Sequence, residues 1–151
     1  MRPPAANPPL PSVRSFGPLF AVLAIASACA TAPKAPSRPP PLKVVVRASP
    51  DANDGQPFYV VFQAVSEKEF TAESYRAASD IAFTNGPGVL TTALVLPDRD
   101  LSVSIPSQDK DGVAAYFLLT HPGRSWKVLL PQPLADKYVV SVVASEIAVL
   151  N

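Results

Sequence analysis

Thiol and imidazole chemistry have little to work with in this chain of 151 residues, which holds one cysteine, Cys29, and one histidine, His121. Zinc sites need several such ligands, so no metal site is expected. Hydrolytic triads of the usual kind need an imidazole, and His121 stands between Thr120 and Pro122-Gly123, where a solvated turn residue is the expectation. A lone cysteine also excludes an intramolecular disulfide. With only 6 glycines and no phosphate-cradling loop among them, nucleotide chemistry has no foothold, and no cofactor is expected. Acidic residues are absent from the first 41 positions, which carry 4 basic ones, so the remainder holds 9 basic against 12 acidic groups. That balance argues against a surface built to neutralise nucleic-acid phosphates.

No apolar run reaches comfortably across a bilayer. Residues 16–28 form an uncharged stretch of 13 residues after Arg14, where a spanning helix wants about 20. The stretch ends in the small residues Ala26-Ser27-Ala28 directly before Cys29, the layout of a cleaved secretory signal. Eleven of the 19 prolines lie in the first 41 residues, and 30–41 cannot bury apolar area. Such a spacer favours extended polyproline geometry and spans on the order of 35 Å. The chain thus divides into a signal peptide at 1–28, a cysteine and proline-rich linker at 29–41, and a domain at 42–151.

From Leu42 the pattern becomes short runs of Val, Tyr, Phe and Thr between Pro, Gly, Asp and Asn clusters, as in an all-β domain. Strands are predicted over 42–48, 58–65, 89–96, 101–105, 113–120, 126–130 and 138–149. The first places Leu42, Val44 and Val46 on one face. The second is apolar on both, as in a central strand covered on two sides. Ser66-Glu67-Lys68-Glu69 has the form of a capping box, which predicts one helix of about ten residues through Tyr75 and Ala78, with Phe70, Ser74 and Ala77 on its buried face. Seven strands in about 110 residues fit a two-sheet sandwich.

Two segments, Asp51-Ala52-Asn53-Asp54-Gly55 and Asp109-Lys110-Asp111-Gly112, superficially suggest calcium loops but lack the full set of alternating oxygen ligands and the twelfth-position Glu. They read as turns. Trp126 and Tyr116-Phe117 read as core aromatics in preference to a carbohydrate platform. A domain with no evident reaction centre points to binding, not to an enzyme.

Taken in order, several features resemble the type VI secretion lipoprotein family TssJ, also called VasD or SciN. They are a lipobox-like Ala26-Ser27-Ala28-Cys29, the short spacer, and a first strand followed by Asn53-Asp54-Gly55-Gln56-Pro57. A strand with Phe62-Gln63 and a Phe-bearing helix come next, then Leu96-Pro97, Ala115-Tyr116 and Trp126-Lys127. The resemblance implies a transthyretin-like β-sandwich with one short added helix, and acylation of Cys29. Ala30 in place of Asp after the cysteine implies outer-membrane sorting, facing the periplasm. It further implies that the connection between the first two strands, comprising Ser49, Pro50, Asp51, Ala52, Asn53, Asp54 and Gly55, grips the periplasmic part of the inner-membrane protein TssM. Asp51 and Asp54 suit a basic partner surface. A stand-alone envelope lipoprotein that binds a ligand or protein unrelated to secretion remains the alternative from the residues themselves.

Overall fold

A computed structural model describes residues 40–106, 112–130 and 132–150. The signal segment, Cys29, nearly all of the spacer and the Asp109-Lys110-Asp111 turn lie outside the described residues. Among those described, no helix is long and apolar enough to cross a membrane.

Two four-stranded sheets face one another. The first has the order β4-β1-β7-β8, from β1 (Leu42–Ala48), β4 (Asp100–Ile105), β7 (Lys137–Val143) and β8 (Glu146–Leu150). The second has the order β3-β2-β5-β6, from β2 (Phe58–Val65), β3 (Val89–Val95), β5 (Gly112–Leu118) and β6 (Lys127–Leu130). All neighbours are antiparallel except β1 and β7, which run parallel with Val44 opposite Tyr138 and Val46 opposite Val140.

Period-2 alternation explains the inner layer. Leu42, Val44 and Val46 from β1 meet Phe58, Val60 and Phe62 from β2 and Val113, Ala115 and Phe117 from β5, all essentially out of solvent. Burying each large side chain contributes roughly 1.5–3 kcal/mol, so the interleaved faces supply most of the drive to form a sandwich. β2 and β5 are central strands and are apolar on the outer side too. There Val61, Val65, Ala114 and Tyr116 pack beneath Ala78 and Ala82 in a second cluster joined by Phe70 and Trp126. Trp126 thus takes the packing role expected of a core aromatic.

Two expectations are corrected. The helical segment is not one helix but two, α1 (Glu67–Ala72) and α2 (Tyr75–Thr84). Ser66 and Glu69 form the expected capping box, but Glu73 turns to extended geometry and the Ser74 side chain accepts from the Ala77 N–H, capping a new helix. Ser74 is therefore an exposed cap and not a buried-face residue, and the packed face of α2 is Ala78 and Ala82. The final predicted strand is likewise two, β7 and β8, folded back at Ala144-Ser145 with Ala144 at φ +50°. Eight strands result in place of seven. An alanine in left-handed geometry is costly, and the antiparallel pairing of Val140 with Val149 and Val142 with Ile147 compensates for it.

The candidate interaction pole

Four connections converge at one end of the sandwich: β1 to β2, β3 to β4, β5 to β6, and β7 to β8. Strand direction explains this, since β1, β3, β5 and β7 all finish there. The described chain enters at Pro40 and Leu42, at the opposite end, one strand away. Seven residues at about 3.3 Å each make that separation roughly 20 Å.

The β1–β2 connection is held from three sides. Ser49 donates its N–H to Val142 O at 2.9 Å, and its hydroxyl oxygen lies 3.1 Å from the same carbonyl. The Asn53 N–H reaches Ala144 O at 2.8 Å, and Ala52 N–H closes a turn onto Ser49 O at 3.0 Å. A short 3-10 turn (Ala52–Gly55) follows, in which Asn53, Asp54 and Gly55 all have positive φ, near +50°, +55° and +72°. Asn and Asp tolerate the left-handed region better than other side chains with a Cβ, and Gly enters it without steric cost.

Asn53 holds this turn in place. Its Nδ2 donates to Gln56 O at 3.1 Å and Pro57 O at 3.2 Å, while its Oδ1 accepts the Thr120 N–H at 2.6 Å. It is nearly fully buried, as is Ala52. Of the seven residues expected to meet a partner, those two therefore serve the interior. Pro50, Asp51, Asp54 and Gly55 present themselves to solvent, and Ser49 is half-buried.

The exposed part is acidic. The Ser49 hydroxyl donates to Asp51, and this bond holds the Asp51 carboxyl below its ordinary value, so it stays ionised across the physiological range. Asp54 Oδ2 lies 3.1 Å from Nδ1 of His121, and both side chains are largely exposed. His121 is thus brought beside the predicted loop, a juxtaposition that a separation of 67 positions gave no means of reading. Glycine at 123 permits the neighbouring turns to close together, because a Cβ there would sit 2.9 Å from Ser145 O. Such an end can form charge-assisted hydrogen bonds with a basic surface. Among the described residues no group of three or more His, Cys, Asp or Glu side chains is arranged to hold a metal ion.

Trp126-Lys127 plays no part at this pole. Lys127 Nζ reaches back to α1, donating to Phe70 O at 2.5 Å and Glu73 O at 2.9 Å, and lies 4.7 Å from the Phe70 ring centroid. Trp126 stacks on Tyr116 at 5.8 Å and meets Tyr75 edge-on at 5.2 Å. This pair of residues fastens the helices to the sheet.

Comparison with known proteins places these features in context. The family model for the N-terminal domain of IglE matches residues 59–142. Among solved structures, the type VI secretion lipoprotein TssJ1 from Pseudomonas aeruginosa aligns with a TM-score of 0.58 and 17% identity, covering 74% of this chain and 96% of that one. A chain in the structure of a type VI membrane complex aligns with a TM-score of 0.61 and 17% identity, covering 74% and 98%. A chain in the structure of the T6SS protein TssM C-terminal domain from EAEC aligns with a TM-score of 0.56 and 17% identity, covering 74% and 98%. At these identities the shared property is the fold. No match among curated proteins reaches significance.

Proposed function

The chain belongs to the IglE N-terminal domain family of TssJ-like lipoproteins, and on that premise we propose that it is a lipoprotein of the type VI secretion membrane complex. In this reading residues 1–28 are removed, Cys29 is acylated, and residues 29–41 tether the sandwich to the periplasmic face of the outer membrane. The β1–β2 connection then binds the periplasmic domain of a TssM-like inner-membrane protein. Its role is binding, not catalysis.

The observation that carries this reading is the polarity of the domain. The tether joins at one end, and the rigid, acidic connection projects from the other, roughly 20 Å away. A connection fixed by hydrogen bonds to β7, to Ala144 O in the β7–β8 turn and, through the Asn53 side chain, to the Thr120 N–H binds without a large ordering cost. Two of the fold's neighbours come from structures of a type VI membrane complex and of a TssM C-terminal domain, which supports the choice of partner.

The test is a binding titration of the detergent-solubilised full chain against the partner's periplasmic domain. Replacing Asp51 and Asp54 together by Asn should weaken binding by about tenfold or more, since both are exposed and Asn removes the two charges while keeping the tolerance of left-handed geometry that position 54 needs. Unchanged affinity in that variant, with an unaltered circular dichroism spectrum, would place the interface elsewhere. Absence of binding in the unaltered chain would overturn the assignment to the secretion complex.

A further inference from the structure

Each sheet ends in two edge strands, and three of the four discourage a further strand. β4 carries the exposed Asp100, β8 carries the exposed Glu146, and β6 is only four residues long and begins at Lys127. Charge and shortness are the usual means by which an edge avoids pairing with other chains. β3 has neither. Its seven residues, Val-Leu-Thr-Thr-Ala-Leu-Val, include no charge and no proline, and among the described residues only β2 pairs with it. A register shift between Phe62 and Gln63 interrupts that pairing near Val89, which leaves 91–95 as the regular, extendable stretch.

The same stretch adjoins uncovered apolar surface. On the outer side of the sheet, two residues before Val61, Tyr59 stands between its register partners Leu94 of β3 and Leu118 of β5. The helices leave this corner open, with Tyr59 41% exposed, Leu94 46% and Phe83 of α2 73%. Phe83 meets the Tyr59 ring edge-on at 6.2 Å, so these side chains form one continuous surface and not scattered apolar residues. Continuous apolar surface of this kind marks a place where another protein packs. It lies toward the acidic pole, since Tyr59 comes two residues after Pro57, whose carbonyl Asn53 holds, and β3 runs toward that end.

We propose that the β3 edge receives an extended segment of the same partner that the acidic connection engages, paired with 91–95 through backbone hydrogen bonds and seating an apolar side chain on Tyr59, Phe83 and Leu94. This rests on the function proposed above. A free edge presents a row of backbone N–H and C=O groups that a further strand satisfies, and the side chains of that strand alternate, so one set meets the apolar surface. A second copy of this chain fits less well. Antiparallel pairing of two β3 strands inverts one domain together with its point of attachment, whereas in that function both copies hang from one membrane. Parallel pairing about a two-fold axis turns one sheet over and puts the two apolar surfaces on opposite sides.

The test combines the detergent-solubilised full chain with the partner's periplasmic domain and reads both affinity and amide deuterium exchange. Exchange over 89–96 should slow by about tenfold or more in the complex. Phe83→Ala and Thr92→Lys, each at an exposed side chain, should both weaken binding by about tenfold, the first by removing apolar contact and the second by putting a charge on the edge. A complex that leaves 89–96 unprotected, or that keeps its affinity in either folded variant, overturns the strand addition and leaves the assignment to the secretion complex intact. Absence of any complex overturns that assignment and this proposal with it. A chain that sediments as a dimer on its own, and as a monomer in Thr92→Lys, makes a second copy the occupant and overturns the partner segment. Should a variant fail to fold by circular dichroism, exchange over 89–96 in the unaltered chain decides.

Discussion

The carboxamide oxygen of Asn53 accepts the backbone N–H of Thr120 at 2.6 Å, joining the β1–β2 connection to the end of β5 across 67 positions of chain. Because the same side chain donates to Gln56 O and Pro57 O, one buried amide sets the shape of the β1–β2 connection. The exposed acids Asp51 and Asp54 are thereby presented by an element that the interior holds, which is how a loop can act as a preformed binding surface.

Asn53→Ala should therefore damage the domain and the pole together. It leaves the Thr120 N–H without its acceptor, orphans two carbonyls, and puts alanine at φ +50°. The expected loss is about 2–4 kcal/mol, read as a fall in the urea midpoint with the unfolding slope unchanged. Asn53→Asp keeps the acceptor and the tolerance of positive φ but not the donors, so its loss should be intermediate.

Lys127 offers a sharper separation of roles, since it caps α1 through the carbonyls of Phe70 and Glu73 while lying over the Phe70 ring. A cation at a helix C-terminus is favourable and here it is partly sheltered. Lys127→Met retains the apolar stem and removes the charge. A loss of about 1–2 kcal/mol is expected, with faster amide hydrogen exchange confined to α1 and partner binding at the distant pole unaltered.

These two residues show where sequence patterning carries information and where it does not. Leu42, Val44 and Val46, the doubly apolar Phe58–Val65 strand and the Ser66/Glu69 capping box could each be read because their signals are local, with period two or a spacing of three. Spacing alone puts Ser74 on a helix's buried face; it caps a new helix because Glu73 leaves helical geometry, which no local pattern announces. The β7–β8 turn had no Gly, Asn or Pro to announce it, because long-range pairing sustains Ala144 in a conformation that alanine alone disfavours. The inward-facing Ala52 and Asn53, the approach of His121 to Asp54, and the reach of Lys127 to α1 all depend on distant contacts. The loop could be located from composition, but not which of its residues face outward.

Tyr116 predicts a response to alkali. Among the described residues its hydroxyl is buried without a partner, and burial, then the Glu73 and Glu69 charges, push its pKa up to about 12. An unfolded tyrosine titrates near 10, so folding favours the protonated phenol. The associated stability is fully present below about pH 10 and is lost as pH rises through about 12, because the unfolded chain releases that proton first. Two pH units correspond to roughly 2–3 kcal/mol. Urea midpoints followed upward from about pH 8 should decline above about pH 10. Tyr116→Phe should make that decline shallower, while Tyr75, also raised by burial, leaves a remainder.

Acylation at Cys29 can be tested without disturbing the sandwich, because the residue lies upstream of β1 and the domain core begins at Leu42. Each buried methylene of an acyl chain contributes about 0.8 kcal/mol, so a lipoprotein with more than one chain stays on its membrane. Cys29→Ser should move the protein from the membrane fraction to the soluble periplasmic fraction, and unchanged partitioning would exclude the anchor. In solution the variant should bind the partner's periplasmic domain with undiminished affinity, since the acidic pole stands a strand's length from the point of attachment. In cells its complex should nevertheless form less, because the tether supplies effective concentration, not contacts. A variant that lost affinity in solution as well would show that residues near the anchor belong to the interface.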